Sequence, residues 1–196
     1  MRVLFVSFIV VLVDQASKLA VKGISIPFLK INLPGMYLGQ RIHLIGNNFN
    51  IAFVENPGIA FGIDLGNSIR IFICLFSIAA SVALFIYIYK NRTKALGFRL
   101  SLALILGGAL GNLVDRMFYG IIYGYAPLFY GKVVDFFNIR FFDIFILNRV
   151  LGSYIFNVAD AAVTAGVICF LVVLNNERRT EVEEGSVENF LAENKD

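Results

Sequence analysis

Four long apolar stretches constrain the fold of this chain more than any other feature of its sequence. A helix needs about 20 mostly apolar residues to cross the hydrocarbon core of a bilayer. The chain has 196 residues, of which 58% are hydrophobic and only 16% are charged, and ordinary soluble domains are less apolar. We therefore predict an all-α membrane protein with four transmembrane helices, at about residues 2–21, 68–89, 98–114 and 154–174.

The first apolar stretch has two interpretations. Met1-Arg2 followed by the apolar run 3–13 is also typical of a cleavable signal peptide. A cleavage site needs small residues in an A-x-A-like pattern, and cleavage after Ala20 would place Lys18 at the upstream small-residue position. A retained membrane helix is therefore favoured.

Positive charges set the expected orientation. Cytoplasmic loops of membrane proteins carry an excess of Lys and Arg. Such residues are concentrated between the second and third stretches and directly after the fourth: Lys90, Arg92, Lys94, Arg99, Arg178 and Arg179. Both termini are therefore predicted in the cytoplasm, with two longer loops, at about 23–66 and 115–153, on the outer side.

The two outer loops and the C-terminal end differ in character. Two apolar-rich runs, 42–45 and 49–54, flank Gly46-Asn47-Asn48 and predict a hairpin. Loop 23–66 is thus expected to form a small β element, a β-cradle, on the outer membrane surface. The loop 115–153 is rich in Tyr and Phe, which suits the headgroup region or a flap over a lipid-bearing ligand. Residues 1–176 are predicted as a single membrane-embedded domain, and residues 177–196 as a disordered polar cytoplasmic tail.

Composition argues against several classes of function. The net charge of +3 is small and scattered, so no nucleic acid partner is expected. Cys74 and Cys169 lie within apolar runs and are interpreted as packing residues. His43 is the only histidine, and without a Cys/His cluster we predict no metal site and no cofactor.

Polar residues in the predicted helices gather near one membrane face. At about 1.5 Å per helical residue, Asp14 is expected roughly 12 Å below the outer end of the first helix and Asp160 roughly 9 Å below the start of the fourth. Other polar side chains are expected near the same level: Asn112, Asp115, Arg116 and Asn157. The outer third of the membrane is therefore the predicted place of the functional site.

Most of these side chains also have a purely structural interpretation. Asp14 and Lys18 are spaced i,i+4, so they face each other on a helix and favour a structural salt bridge. The others could act as interfacial charges or as interhelical hydrogen-bonding groups: Asp115 and Arg116 in the first case, Asn112 and Asn157 in the second.

Asp160 is harder to explain by structure alone. It has no basic neighbour within its segment, and an unpaired carboxylate in hydrocarbon must be protonated or find a partner elsewhere. Asp135 returns to the membrane surface before the fourth helix and is the natural partner. Two carboxylates in contact share a proton, so one can activate a water molecule while the other donates a hydrogen bond to a carbonyl. This hypothesis predicts metal-free hydrolysis of a peptide bond.

Five motifs in a fixed order resemble the lipoprotein signal peptidases (signal peptidase II), which are bacterial membrane aspartyl proteases. The resemblance runs from about residue 11 to 166 and rests on these segments: Asp14-Gln15-x-x-Lys18, the stretch from Asn56-Pro57-Gly58 to Gly62, the stretch from Gly107 to Arg116, Val133-Val134-Asp135-Phe136 and Phe156-Asn157-Val158-Ala159-Asp160. Segment 117–132 is longer and more aromatic than the corresponding link of the family, and segment 138–153 lacks the tryptophan often found there.

The resemblance implies a fold and an activity. It implies four transmembrane helices with an extracytoplasmic β-cradle, in a multi-pass protein of the bacterial cytoplasmic (inner) membrane whose active site is near the outer face. The implied catalytic residues are Asp135 and Asp160. They would cleave diacylglyceryl-modified prolipoproteins on the amino side of the lipidated lipobox cysteine, through water activated between the two aspartates.

The resemblance also implies binding residues and partners. Substrate, or cyclic peptide antibiotics such as globomycin, would be bound by six residues: Asn56, Gly58, Asn112, Arg116, Asn157 and Ala159. Asp14, Lys18 and Asp115 would support them. The expected partners are prolipoprotein and membrane lipid, and the expected oligomeric state is a monomer.

Other classes of protein fit less well. A serine protease of the membrane would need a histidine at depth, but His43 is in the outer loop, and Ser17 and Lys18 are adjacent and diverge on a helix. The G-x-G-D pattern of presenilin-like proteases is missing. A proton-coupled transporter would spread its carboxylates through the membrane and often shows internal repeats, which this sequence lacks.

Overall fold

Four helices of the protein are long and apolar enough to cross a membrane, as predicted. The computed structural model describes residues 2–27, 30–46, 48–58, 67–146 and 149–193. Within these residues the candidate spans are Leu4–Lys22, Ser68–Lys90, Leu96–Ile122 and Val158–Thr180. The helices that contain them are α1 (Leu4–Lys22), α2 (Asn67–Lys90), α3 (Leu96–Val114) and α5 (Val158–Glu193).

Helix α3 lies at the centre and packs against α1 and α5 through glycine. A Cβ atom added to Gly108 would lie 2.3 Å from the carbonyl oxygen of Ala159 in α5. A Cβ atom added to Gly111 would lie 2.7 Å from the Asp14 carboxylate in α1. Small residues allow helices in membranes to approach closely, and here they bring the polar ends of three helices together. Deeper in the bundle an apolar cluster fills the space between the helices: Val3, Ile88, Phe98, Leu102, Ala103 and Leu106.

The third span is prolonged by irregular helix. A π-helical turn, Asp115–Tyr119, follows α3 directly and leads into a short helix, α4 (Gly120–Ile122). Single π-helical turns occur often at functional sites because they redirect side chains. The turn begins at Asp115 and also carries Arg116, two of the predicted site residues.

A four-stranded sheet at one end of the helices is built from both of the loops that were predicted on the outer side. The predicted hairpin is confirmed as β3 (Arg41–Ile45) and β4 (Phe49–Asn56), and a small ribbon precedes it, β1 (Ile24–Ile26) with β2 (Ile31–Leu33). The second outer loop contributes β5 (Val133–Ile146) and β6 (Arg149–Phe156). The antiparallel order is β3-β4-β5-β6.

The strands β5 and β6 were not predicted, and they correct two expectations. The aromatic loop 115–153 was expected without strands, either in the headgroup region or as a flap, but its second half is strand, because runs rich in Val, Ile and Phe suit a pleated, half-buried surface. The fourth helix was expected from residue 154, but it begins at Val158 because Tyr154 and Phe156 belong to β6. Asp160 therefore lies in the first turn of α5, not roughly 9 Å below its end.

The expected disordered tail from residue 177 also differs from the structure. Helix α5 continues to Glu193. Once a helix is nucleated, each further residue adds a hydrogen bond without a new nucleation cost. The segment after Glu177 is rich in Glu and Arg, both good helix formers, so the membrane helix extends without interruption.

Candidate active site

The predicted site residues converge where the C-terminal ends of α1 and α3 meet β4, β5 and the start of α5. Asp135 is on β5 and only 4% exposed. Asp160 is in the first turn of α5 and is partly exposed. The charge of Asp160 acts on Asp135, so the two carboxyl groups share one electrostatic environment.

Asn157 connects the two aspartates. Its fully buried side-chain amide donates a hydrogen bond to Asp135 Oδ1 at 2.7 Å. Its backbone N–H donates to Asp160 Oδ2 at 3.2 Å, and the Asp160 N–H donates back to Asn157 Oδ1 at 2.9 Å. This reciprocal pair is a capping box, which satisfies backbone donors at a helix N-terminus. One residue thus begins α5 and also holds Asp135.

Asn112 of α3 holds the other oxygen of Asp160. Its Oδ1 accepts hydrogen bonds from Lys18 Nζ at 2.9 Å and from Asn157 Nδ2 at 3.0 Å. Because those donors occupy the carbonyl oxygen, the Nδ2 group of Asn112 is directed at Asp160 Oδ1, 2.8 Å away. The orientation of this amide is therefore set by the lysine beneath it.

Lys18 pairs with two carboxylates in a fully buried cluster. Its Nζ lies 2.8 Å from Asp14 Oδ2 and 2.9 Å from Asp115 Oδ2, and none of the three side chains is accessible to solvent. The expected i,i+4 salt bridge between Asp14 and Lys18 is confirmed. Gln15 also joins this cluster, since its amide donates to Asp115 Oδ1 at 2.8 Å. With these hydrogen bonds the buried charges are satisfied, as such burial requires.

Two carboxylates of that cluster fix the neighbouring elements. Asp14 Oδ1 accepts the backbone N–H of Ala159 at 2.9 Å, which caps α5 from α1. Asp115 Oδ2 accepts the backbone N–H of Val134 at 3.1 Å, which holds β5 one residue before Asp135. The supporting residues Asp14 and Asp115 therefore position the two elements that carry the aspartates, the helix α5 and the strand β5.

Asn56 contacts Asp135 from β4. In the sheet register Val54 is opposite Asp135, and the Asn56 Nδ2 group donates to Asp135 Oδ2 at 3.0 Å. The N–H of Gly58 donates to Asn56 Oδ1 at 2.9 Å and so fixes the amide orientation. Gly58 has φ of 96°, which favours glycine. The rest of that motif, residues 59–62, lies outside the described residues.

The pKa of Asp135 is higher than that of an ordinary carboxyl group. Its pKa is raised to about 7, chiefly by burial and also by the charge of Asp160, while the hydrogen bonds from Asn56 and Asn157 lower the pKa in part. The Arg116 guanidinium interacts electrostatically with both aspartates and with Asp115. A carboxyl group that retains its proton near neutral pH can donate a hydrogen bond to a carbonyl.

Nearly all of the predicted site residues lie together in this site, and two residues that were not predicted join them. Ala159 takes part through its backbone N–H, not its side chain. Gln15 and Tyr119 were not predicted; the Tyr119 hydroxyl donates to Gln15 Oε1 at 3.1 Å. The position of Gln15 within the Asp14-Gln15-x-x-Lys18 motif was the available signal. Among the residues that the structure describes, no three His, Cys, Asp or Glu side chains are grouped so as to hold a metal ion.

Comparison with known proteins places this arrangement in a family. The fold and the cluster define a four-span membrane protein with a buried site of carboxyl and amide groups next to a β-sheet. The family model described as signal peptidase (SPase) II matches residues 6–175. The chain therefore belongs to the signal peptidase II family, which makes it a protease.

Relatives and solved structures agree with this assignment. The lipoprotein signal peptidase of Moorella thermoacetica is 34% identical, over 89% of this chain and 94% of the relative. That of Porphyromonas gingivalis is 33% identical, over 84% of this chain and 78% of the relative. Two solved structures, each described as a bacterial membrane enzyme, are also similar. One has a TM-score of 0.61 at 28% identity, over 88% of this chain and 92% of the other. The second has a TM-score of 0.59 at 25% identity, over 90% and 89%.

Proposed function

We propose that this chain is a membrane aspartyl endopeptidase that removes signal peptides from diacylglyceryl-modified prolipoproteins. It cleaves on the amino side of the lipidated lipobox cysteine, with Asp135 and Asp160 as the catalytic residues. The observation that carries the proposal is the shared contact with Asn157. This residue donates to Asp135 Oδ1 at 2.7 Å and to Asp160 Oδ2 at 3.2 Å, so one residue holds both carboxylates in one site.

The two carboxyl groups have different environments, which suggests different roles. Asp160 is partly exposed, lies at the N-terminus of a helix and accepts hydrogen bonds on both oxygens. A helix N-terminus and such donors stabilise a negative charge. Asp135 is buried, and burial raises its pKa to about 7. We therefore assign the negative charge to Asp160 and the shared proton to Asp135.

These protonation states suit hydrolysis of a peptide bond. The ionised Asp160 removes a proton from a water molecule, whose oxygen attacks the scissile carbonyl carbon. Asp135 gives its proton to the carbonyl oxygen, which yields a neutral tetrahedral diol. The C–N bond then breaks as Asp160 passes its proton to the leaving nitrogen, and a diol hydroxyl returns a proton to Asp135. Both carboxyl groups end as they began.

Six residues near the aspartates, Asn157 among them, are proposed to bind substrate or globomycin. Asn56 and Asn112 contact the aspartates directly through their amides. Arg116 has a buried Nε atom without a hydrogen-bond partner and interacts electrostatically with both carboxyl groups. A guanidinium in this position suits a peptide carbonyl of the substrate. Gly58 would contribute backbone surface, and the fully buried Ala159 would line the site from behind, held by its N–H bond to Asp14.

Topology supports the proposed placement in the membrane. The site joins the end of α1, the end of α3 and the start of α5, while the basic loop around Lys90 and Lys94 lies at the opposite ends of α2 and α3. Basic loops are cytoplasmic. The site would then be near the outer face of the bacterial cytoplasmic membrane, with both termini inside. Surrounding lipid and a monomeric state belong to the same proposal.

The test is cleavage of a diacylglyceryl-modified prolipoprotein by purified variants. Asp135→Asn and Asp160→Asn are each expected to lose at least about 10³-fold in kcat with the fold retained. Glu177→Gln, which removes a charge several helical turns along α5 from Asp160, is the matched control and should cleave normally. Cleavage at the wild-type rate by either aspartate variant would refute the dyad. Equal cleavage of the unmodified prolipoprotein would refute the requirement for the lipid.

A further inference from the structure

Lys22, the last residue of α1, is enclosed by aromatic rings. Its Nζ atom lies 4.0 Å from the ring centre of Tyr123 and 5.0 Å from that of Tyr125. The rings of Tyr119 and Phe53 are 5.7 Å and 5.9 Å away. A cation within about 6 Å of an aromatic face is attracted by the ring, most strongly where water is excluded. We call Lys22 and these four aromatic residues the Lys22 cage.

The cage is closed by an acidic residue. Lys22 forms a salt bridge with Glu55 Oε1, and Lys132 reaches Glu55 Oε2 at 3.2 Å. The side chains of Lys22 and Glu55 are only 6% and 15% exposed, against 32% for Lys132. Burial alone would raise the pKa of Glu55, but the two lysines outweigh it and lower the pKa. Glu55 therefore stays ionised, and the cage contains a desolvated ion pair.

The cage is attached to both strands that hold Asp135. Glu55 immediately precedes Asn56, whose amide donates to Asp135 Oδ2 at 3.0 Å. On the other side, the tyrosines belong to segment 119–132, which enters β5 two residues before Asp135. We call this segment the aromatic strap.

Hydrogen bonds fasten the aromatic strap at several points. The Tyr123 hydroxyl donates to the carbonyl of Gly23 at 2.7 Å, directly after Lys22. The Tyr125 hydroxyl accepts the backbone N–H of Lys132 at 2.8 Å. The N–H of Gly131 donates to the Arg116 carbonyl at 2.9 Å. Each bond ties the strap to the membrane helices or to itself, and Lys22 is at the centre of its tyrosines.

We propose that Lys22 is a positioning residue for catalysis: its cation fixes the aromatic strap and the end of β4, and so fixes Asp135 between Asn56 and Asn157. The inference rests on the proposed function. Lys22 touches none of the reacting groups, so its effect is on geometry. Misplacement of a catalytic group by about 1 Å can cost about 100-fold in rate. The cage requires a cation, because a neutral side chain would lose the ring attraction and leave Glu55 with a single, more exposed partner.

The test compares Lys22→Met, Lys22→Arg and Glu55→Gln, with Lys94→Met as a control that removes an exposed cytoplasmic charge. Hydrogen exchange by mass spectrometry measures the anchoring of the strap without reference to activity. Amides of 123–132 are expected to exchange at least about tenfold faster in Lys22→Met and Glu55→Gln. They should exchange at the wild-type rate in Lys22→Arg and Lys94→Met.

Kinetics on the lipid-modified prolipoprotein measure the positioning. Lys22→Met is expected to lower kcat by about 10- to 100-fold with KM nearly unchanged, and Lys22→Arg to restore most of the rate. Unchanged exchange and unchanged kcat in Lys22→Met would overturn the inference. So would a loss that appears in KM alone, or one that arginine does not restore. A wild-type protein that fails to cleave would refute the proposed function instead, and the exchange data would still decide whether Lys22 anchors the strap.

Discussion

Asn157 and Asp160 exchange reciprocal hydrogen bonds at the start of α5. The Asp160 N–H donates to Asn157 Oδ1 at 2.9 Å, and the Asn157 N–H donates to Asp160 Oδ2 at 3.2 Å. This pairing leaves the side-chain Nδ2 of Asn157 free to turn toward Asp135, to which it donates at 2.7 Å. The helix cap and the link between the aspartates are therefore one structure.

Replacement of Asn157 by alanine tests this double role. We expect Asn157→Ala to lose about 1 kcal/mol of stability through the missing cap and about 100-fold in kcat through the displaced aspartates. Unfolding in detergent and cleavage of lipid-modified substrate measure the two effects.

A second buried amide pair provides the control for that variant. Asn138 donates to Asn50 at 3.0 Å within the sheet, and both residues are buried. Asn138→Ala should lose at least as much stability, since it leaves a buried acceptor unpaired, while retaining near-normal kcat. Equal kinetic losses in both variants would show that stability, not the link between aspartates, governs the rate.

The raised pKa of Asp135 predicts a pH dependence. Its carboxyl group must be protonated to act as the acid, and its pKa is about 7. The rate is therefore expected to fall as pH rises through about 7, with an apparent value that belongs to the pair. Asn56→Ala removes a donor that lowers this pKa, so its basic limb should move to higher pH. A shift to lower pH, or a flat profile in a chemistry-limited assay, would contradict the assignment.

The same shift predicts a change in stability with pH. The folded protein holds the Asp135 proton more tightly than the unfolded chain, whose carboxyl group has a pKa near 3.8. The resulting stabilisation is complete below pH 3.8 and is lost as pH rises to about 7. Relative to Asp135→Asn, the wild-type protein should lose up to about 4 kcal/mol over this interval. The free energy of unfolding, measured for both proteins at each end of this pH interval, checks whether the stability falls as predicted.

Lys18 is expected to be among the residues most costly to remove. Lys18→Met would leave Asp14 and Asp115 buried without a counter-charge, which typically costs about 3–5 kcal/mol. Lys90→Met, at an exposed position, should cost less than about 1 kcal/mol. The double variant Lys18→Met/Asp14→Asn should be less destabilised than Lys18→Met, because one uncompensated charge is gone. Additive losses in the double variant would argue against this electrostatic origin.

The close approach of α1 to α3 gives a steric prediction. A Cβ atom at position 111 would lie 2.7 Å from the Asp14 carboxylate, whereas one at Gly97 would lie 3.2 Å from a side-chain methyl group of Val173. Gly111→Ala is expected to lose about 1–3 kcal/mol and much of the activity. Gly97→Ala, in the same helix, should be nearly neutral. Thermal unfolding of the two variants provides the comparison.

Much of the fold follows from the sequence, and what was missed has physical reasons. The membrane helices and the β3–β4 hairpin are encoded by local periodicity, which residue order reveals directly. The strands around Asp135 depend on pairing with β4, which is distant in the chain, and an aromatic run such as 133–146 suits both a strand and a membrane-surface loop. The start of α5 was misplaced because Tyr154 and Phe156 are as apolar as the helix that follows.

The candidate site likewise has features that local sequence predicts and features that depend on tertiary packing. Spacing alone predicted the bridge between Asp14 and Lys18, because i,i+4 residues meet on any helix. It could not show that Asp14 accepts the N–H of Ala159, or that Lys18 sets the Asn112 amide, since these contacts depend on helix packing. The Lys22 cage draws its members from three segments that are distant in the sequence, α1, β4 and the aromatic strap, so it too depends on tertiary packing.

Because Asp14 of α1 caps α5, this contact can form only after α5 has been synthesised. The ribosome makes α1 before α5, and the helix that carries Asp160 is the last of the described membrane spans to emerge. Until then the Asp14 oxygen has no Ala159 N–H to accept, and Asp135 has no Asn157 beside it. If the two aspartates act as proposed, the site that they form is assembled only once α5 has packed against α1, so cleavage cannot begin before the span that carries Asp160 is in place.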